Sequence, residues 1–285
     1  MCDHECHMNL LVIYNPNAGY GRAKKLLSKV KDIFHQHGIS PEIKLTGCAG
    51  HGAEIIGGCD LKNYDGVIAA GGDGTVFEVV NGVCRYPQEA RIPIGIIPIG
   101  TGNAFARELD LFSSNWQQAI QVISNKQTKK VDVGHFKTIG KDYYFLNVLG
   151  LGLVSDVGES SKALKIFGNF GYILGVLYQV LFLKTYNLSI TIDGEKIEQE
   201  NILVEISNSR YTGTSFLIAP NAQLDDGLLD VTLVTTLSRI RILKLFPTIF
   251  TGEHIHLPEV STYRAKHIKI ETEQPKLLAP DGELV

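Results

Sequence analysis

The stretch Ala70-Gly71-Gly72-Asp73-Gly74-Thr75 decides how this chain is read. It follows Val67-Ile68-Ala69-Ala70, a short apolar run that predicts a buried strand. It leads into Val76-Phe77-Glu78-Val79-Val80, which predicts a helix with Thr75 near its cap. Glycine at three of the four positions 71–74 lets the backbone turn sharply and bring N–H groups close to an anion. Asp73 does not suit that task, because a carboxylate repels phosphate unless a cation or a proton transfer intervenes. That mismatch marks Asp73 as a chemical candidate. Standing alone, the loop is equally compatible with a tight strand-to-helix turn.

On the N-terminal side, Leu10-Leu11-Val12-Ile13-Tyr14 is a continuous apolar run of the kind found in parallel strands covered on both faces. Asn15-Pro16-Asn17-Ala18-Gly19-Tyr20-Gly21 breaks it with turn chemistry. From Arg22 to His37 the residues Leu26, Leu27, Val30, Ile33 and Phe34 fall on one helical face, and Gly38 suits the position after the helix end. Glu42–Leu45 predicts a second strand, Gly52–Ile56 a short helix and Ile94–Ile97 a fourth strand. Strands alternating with helices indicate an α/β unit with a parallel sheet, whose ligands bind at the carboxyl ends of the strands. Three glycine turns fall at those ends: Asn15–Gly21, Gly71–Thr75 and Pro98-Ile99-Gly100-Thr101-Gly102-Asn103, the last opening a helix at Asn103–Arg107. Three on one sheet edge indicate a polyphosphate site.

Beyond about residue 130 the texture changes. Short strands are predicted over Val131–Phe136, Tyr143–Val148, Leu188–Ile192, Ile202–Ile206, Phe216–Ile218, Leu229–Val234 and His267–Ile270, with Asp193-Gly194 as a hairpin turn. These predict an antiparallel sandwich or barrel, so the chain reads as an α/β domain over 1–128 and a substrate domain over 129–285, with a cleft between them for a second substrate. The exception is the apolar stretch Leu164–Leu183, interrupted by Lys165, Asn169 and Gln179. It is marginal for a bilayer span and suits a packed helix or one near a lipid.

Composition narrows the function. With 44% hydrophobic and 20% charged residues among 285, the chain can bury a substantial core. A net charge of −3 and a pI near 6.3 argue against an extended nucleic-acid surface. Five cysteines, odd in number and confined to the first third, indicate a reducing cytoplasm and no disulfide framework. The start lacks the pattern of a signal peptide. Cys2, His4, Cys6 and His7 are spaced too tightly for a usual zinc knuckle, and an unstructured tail is the plainer reading.

In order along the chain, Asn15–Gly19, Gly71–Thr75, Gly100-Thr101-Gly102-Asn103-Ala104-Phe105-Ala106-Arg107, Asp225-Asp226-Gly227-Leu228-Leu229-Asp230-Val231 and Asp281-Gly282-Glu283 resemble the diacylglycerol kinase catalytic family, which includes bacterial lipid kinases and sphingosine kinases. The resemblance runs from about residue 10 to 285 and implies an NAD kinase/phosphofructokinase-like first domain and a β-sandwich second domain. It implies ATP and Mg²⁺. Asn15, Pro16, Asn17, Ala18 and Gly19 match the first phosphate loop, Thr46 a nucleotide-contacting threonine, Gly71, Gly72, Asp73, Gly74 and Thr75 the loop for the ATP phosphates, and Thr101 a further contact. Asp73 is implied near the metal and the reacting phosphoryl group. Asp226 with the Leu228 carbonyl matches a Mg²⁺ turn, with Gln223 as third ligand. Asp281 and Glu283 match an acidic pair assigned to catalysis, in a segment returning to the interdomain cleft. Asp156 matches a lipid-head residue of the sphingosine kinases, with a helix cap as its plainer reading. Glu78 suits a place on the helix surface, or orienting the glycine loop, better than acting as a base.

The expectation is therefore an ATP-dependent lipid kinase acting on a hydroxyl of a membrane lipid, most simply diacylglycerol. Alternatives are an NAD or sugar-phosphate kinase using the same loop, and a non-catalytic nucleotide- or lipid-binding regulator. The expected setting is cytoplasmic and peripheral to the membrane; a homodimer is left open.

Overall fold

The computed structural model describes residues 8–138, 140–152, 185–212 and 216–285. The candidates Asp156, Leu164–Leu183 and Cys2–His7 lie outside the described residues. The chain divides into two compact units, one comprising residues 1–130 with 137–144 and the other 131–136 with 145–285.

In the first unit, β1 (Leu10–Tyr14), β2 (Glu42–Leu45), β3 (Gly66–Gly71) and β4 (Ile94–Pro98) form a parallel sheet in the order β2-β1-β3-β4. Every residue of β1 and β3 is buried, which accounts for their unbroken apolar sequence. One face of β1 carries Leu10, Val12 and Tyr14 into a core with Val30 and Phe34 of α1 (Arg22–Gln36). Tyr14 donates from its hydroxyl to the Ala23 carbonyl at 2.6 Å, fixing the start of that helix. The opposite face carries Ile13 against α2 (His51–Gly57), where Gly52 leaves just enough room: a Cβ there would lie 3.1 Å from Ile13 Cγ2.

The helix after the glycine loop, α3 (Asp73–Cys84), starts three residues earlier than expected. The Gly72 carbonyl accepts from both Thr75 and Val76, so Thr75 sits inside the first turn rather than at the cap. Two further helices complete this unit: α4 (Ala104–Glu108), and α5 (Gln117–Ser124), which the sequence reading missed.

The second unit is built on antiparallel strands. Along the chain, a hairpin of β5 (Gly134–Thr138) and β6 (Lys141–Phe145), whose residues 137–144 count with the first unit, precedes β7 (Val148–Gly152), β8 (Tyr186–Ile192) and β9 (Glu195–Ser207). The predicted strand Tyr143–Val148 is thus two strands, and the first predicted strand begins at Gly134 rather than Val131. The break after Phe145 has a local cause: the backbone N–H groups of Leu146, Asn147 and Val148 all donate to the Asp281 side chain. Between β8 and β9, Asp193 and Gly194 both adopt positive φ, 46° and 97°, as a two-residue hairpin with matching twist requires.

After β10 (Tyr211–Thr212) and β11 (Phe216–Leu217) come β12 (Leu229–Thr235), β13 (Val260–Ala265), β14 (Ile268–Glu271) and β15 (Leu278–Pro280), with a helix at Arg239–Leu245. The sheet runs β13-β12-β9-β7-β15, and β8 pairs with β9 and β14. The long β9 serves two partners on one edge, β8 along Glu195–Asn201 and β7 along Leu203–Ser207. Leu151, Leu188, Ile190, Ile192, Val204, Val231 and Leu233 pack into one core.

Strand alternation puts Val204 and Ile206 on that core side and Leu203, Glu205 and Ser207 on the other. Glu205 is 1% exposed, and burial pushes its carboxyl up to about 8 against the smaller effect of a Thr212 hydrogen bond. The folded protein therefore keeps a proton that the unfolded chain releases near the ordinary glutamate value of 4.5. This contribution is fully present below that value and is lost as pH rises toward about 8. Wild type should lose stability relative to Glu205→Gln across this window, at most about 1.4 kcal/mol per pH unit. Urea unfolding at several pH values from 5 to 8.5 checks this; a constant difference between the two proteins refutes a buried protonated Glu205.

Candidate functional site

In the first unit, the turns after β1, β3 and β4 lie side by side. Asn15 N–H donates to the Ala70 carbonyl at 2.9 Å, and the Asn15 carboxamide turns back to accept from Asn17 N–H at 2.9 Å. Asn15 also donates from Nδ2 to Thr75 Oγ1 at 3.4 Å, linking the first turn to the glycine loop. Gly71 accepts from Ile99 and Gly100 N–H, linking that loop to the third turn. Ala18 is buried, and a Cβ on Gly19, already at φ 59°, would lie 2.8 Å from the Ile99 carbonyl. Pro16 lies between these anchors. A Cβ on Gly100 would lie 2.2 Å from Gly72 Cα, so the two backbones touch and no side chain fits between them.

Asp73 resolves the mismatch seen in the sequence. Its carboxylate accepts from Ala104 N–H at 2.6 Å, at the start of α4. Burial pushes its carboxyl up, and the N–H groups of Ala104, Asn103 and Phe105 act in the opposite direction. The residue keeps some exposed surface, but its carboxyl group is enclosed by loop backbone. Asp73 thus ties the second turn to the third. Gly74 and Thr75 lie in the first turn of α3, and Thr101 is exposed on the third turn. Thr46 is buried, its N–H donating to the Tyr14 carbonyl at 2.9 Å at the end of β2.

Glu78 accepts from Gly50 N–H at 2.7 Å and Gly52 N–H at 2.8 Å, gripping the start of α2. Asn81, one turn further along α3, exchanges two hydrogen bonds with the Tyr144 backbone at 2.8 and 2.9 Å. The sequence reading missed Asn81. Its only signal was a polar residue set among Val79, Val80 and Val83.

The second unit holds the other candidates. Asp281, at φ 48°, accepts from Leu146, Asn147 and Val148 N–H at 2.9, 2.8 and 3.1 Å. Both carboxylate oxygens serve backbone donors, an arrangement that shapes a turn and leaves Asp281 poorly placed to take a proton. Glu283 follows in the same turn, its N–H bonded to the Pro280 carbonyl at 2.8 Å, with its side chain exposed. Leu278 and Val285 exchange backbone hydrogen bonds at 3.1 and 3.0 Å and close the turn.

The Asp226 turn is organised separately. One Asp226 oxygen accepts from Leu228 N–H at 3.0 Å, and the other is engaged by the Arg264 guanidinium. Gly227 N–H donates to Asp132 at 2.7 Å, and Gln223 is exposed nearby in sequence. The expected ligands are all oxygen donors, as Mg²⁺ prefers, yet they include one carboxylate and Arg264 already neutralises it. Among the described residues no group of three or more His, Cys, Asp or Glu is arranged to hold a metal. Arg264 thus engages the Asp226 oxygen that a Mg²⁺ would have to share. Arg264 escaped the sequence reading because its strand, β13, was itself not predicted.

A model described as the diacylglycerol kinase catalytic domain matches residues 9–136, and one described as a YegS C-terminal NAD kinase beta sandwich-like domain matches 147–285. A diacylglycerol kinase of Mycobacterium tuberculosis is 33% identical over 261 residues, covering 90% of this chain and 83% of that protein. One from Bacillus subtilis is 29% identical over 274 residues, covering 95% and 88%. A crystal structure of a diacylglycerol kinase from Bacillus anthracis superposes with a TM-score of 0.71 at 27% identity, covering 98% of this chain and 90% of that one. Another crystal structure from the same organism gives 0.77 at 30% identity, covering 97% and 90%.

Two outcomes are expected. Asp73→Ala should cost about 1–3 kcal/mol in urea unfolding, because it strands backbone donors of the third turn; unchanged stability would show that the tie carries no weight. Arg264→Gln should create or strengthen Mn²⁺ binding measured by electron paramagnetic resonance, and Asp226→Asn should abolish the gain. Equal Mn²⁺ affinity in wild type and Arg264→Gln would mean Arg264 is no competitor.

Proposed function

The chain belongs to the diacylglycerol kinase catalytic family, and we propose that it transfers the γ-phosphoryl group of ATP to the free hydroxyl of diacylglycerol or a closely related membrane lipid. The observation that carries the donor half is the set of three interlocked turns at the carboxyl ends of β1, β3 and β4. Backbone N–H groups at such turns, with the start of α3, suit a chain of phosphates. In this reading Asn15–Gly19, Gly71–Thr75, Thr46 and Thr101 line the nucleotide, and Asp73 keeps two of the turns in register. Phosphoryl transfer asks the protein for positioning and charge neutralisation rather than covalent chemistry.

For the acceptor half, the lipid hydroxyl oxygen attacks the γ-phosphorus, the bond to the ADP oxygen breaks, and the hydroxyl proton passes to the Glu283 carboxylate. Glu283 suits this better than Asp281, since its side chain meets no hydrogen-bond partner among the described residues. Asp281 is assigned to holding the turn that presents Glu283. Mg²⁺ belongs to this reading as the ion the nucleotide carries; no step is assigned to one held at Asp226. Collecting a lipid brings the protein to a membrane surface, which fits a peripheral, cytoplasmic setting. Among the described residues no helix is long and apolar enough to cross a membrane.

Incubation with radiolabelled ATP and diacylglycerol in mixed micelles tests the proposal. Wild type should form labelled phosphatidic acid, and Glu283→Gln should lower kcat about 100-fold or more with little change in KM for ATP. Loss of lipid labelling in wild type with ATP binding intact would overturn the acceptor; a Glu283→Gln rate near wild type would overturn the base.

A further inference from the structure

The face of the second unit's sheet that turns away from its main core carries a polar strip where a core would ordinarily be apolar. Glu205 lies on the central strand β9, directly paired with Gly150 of β7 and Thr232 of β12. Cross-strand partners share a face, so the strip reads Gly150, Glu205, Thr232 across three strands. Glu205 and Thr232 are each 1% exposed. The Glu205 carboxyl accepts a hydrogen bond from Thr212, while its Oε1 meets no partner. Two positions along the same face, Ser207 is fully buried and its Oγ likewise has no partner.

Buried polar atoms without partners are uncommon, because each forfeits the hydrogen bonds it made to water. Two on one face, Glu205 Oε1 and Ser207 Oγ, point to a partner that arrives from outside the chain. The flanks of the strip are apolar. On one side Ile202, Leu203 and Val234 pack with Ile242 and Phe246, and on the other Val148, Ile218 and Ala219 pack with Ile249. Phe216, Phe246 and Phe250 stack edge to face and tilted, with centroids 5.0 to 5.7 Å apart. A hydrogen-bonding point set among aliphatic and aromatic side chains suits a ligand that is mostly hydrocarbon with a neutral polar group.

We infer that Glu205 is a specificity-determining residue for the lipid acceptor, its protonated carboxyl donating a hydrogen bond to an ester carbonyl oxygen of a glycerolipid. The inference rests on the lipid-kinase reading above and narrows it. An ester carbonyl only accepts, and a neutral carboxyl offers one O–H donor. A sphingoid ammonium would instead call for an ionised acid, and burial at this position works against that form.

The test compares a diacylglycerol with its diether analogue, which has the same chains and hydroxyl but no carbonyls. Binding of each lipid in mixed micelles is measured by equilibrium partition alongside kcat and KM, for wild type, Glu205→Gln and Glu205→Met. Wild type should favour the ester about tenfold, as expected for one hydrogen bond. Glu205→Gln, which keeps a donor, should retain most of that preference. Glu205→Met should bring the ratio close to one with the KM for ATP unchanged. A wild type indifferent to the carbonyls, or a Glu205→Met variant with the wild-type ratio, would overturn the inference. If Glu205→Met does not fold, the wild-type ratio and its retention in Glu205→Gln decide. Binding without phosphoryl transfer in wild type would remove the kinase reading while the binding ratio still judged Glu205.

Discussion

The first unit depends on one carboxylate facing backbone. Asp73 sits in a glycine loop of the kind that receives anions, and its partner is the N–H of Ala104 at the head of the next turn's helix. Around this contact the Gly72 and Gly100 backbones approach so closely that a Cβ on Gly100 would overlap Gly72. The two constraints act together: the carboxylate draws the turns toward each other, and the glycines let them meet. The result is a set of interlocked turns whose backbone is fixed by contacts within the chain. In the proposed reaction, such preorganisation would serve the electrostatic stabilisation of phosphoryl transfer.

The second unit repeats the theme with different residues. Asp281 gathers three consecutive N–H groups, splits what would have been one strand into β6 and β7, and fixes the turn that carries Glu283. Asp226 holds its own turn through Leu228 and is neutralised by Arg264. Acids that look chemical in a sequence are here occupied with backbone and with a guanidinium. Among Asp73, Asp226, Asp281 and Glu283, only Glu283 has its side chain exposed.

Polar groups of another kind sit within the sheet. The central strand β9 gives one face to an aliphatic core and the other to Glu205 and Ser207, both sealed from water. Holding a carboxyl buried there, with one oxygen unpartnered, lowers stability as pH rises. A fold selected for stability alone would place an aliphatic residue at 205, as at 204 and 206. That contrast sets Glu205 apart from the carboxylates that organise turns.

Much of the architecture was legible in the sequence. Apolar runs without alternation gave parallel strands at the right places, glycine turns marked their carboxyl ends, and Asp193-Gly194 marked a hairpin, because each of these signals is local. The order of the motifs pointed to the lipid-kinase family, and the matches over both halves of the chain agree with it. Strand β13 mixes polar and apolar residues on both faces, and helix α5, with Ala119, Ile120 and Ile123 on one side, is only eight residues long. The partners of the candidate acids could not be read at all. Asp73 meets a residue 31 positions away, Asp226 one 38 away, and Asp281 backbone 134 away. A carboxylate's type announces that it can accept protons, hydrogen bonds or a cation. Which of these it does is decided by the donors that folding brings within about 3 Å, and only the tertiary structure holds that information.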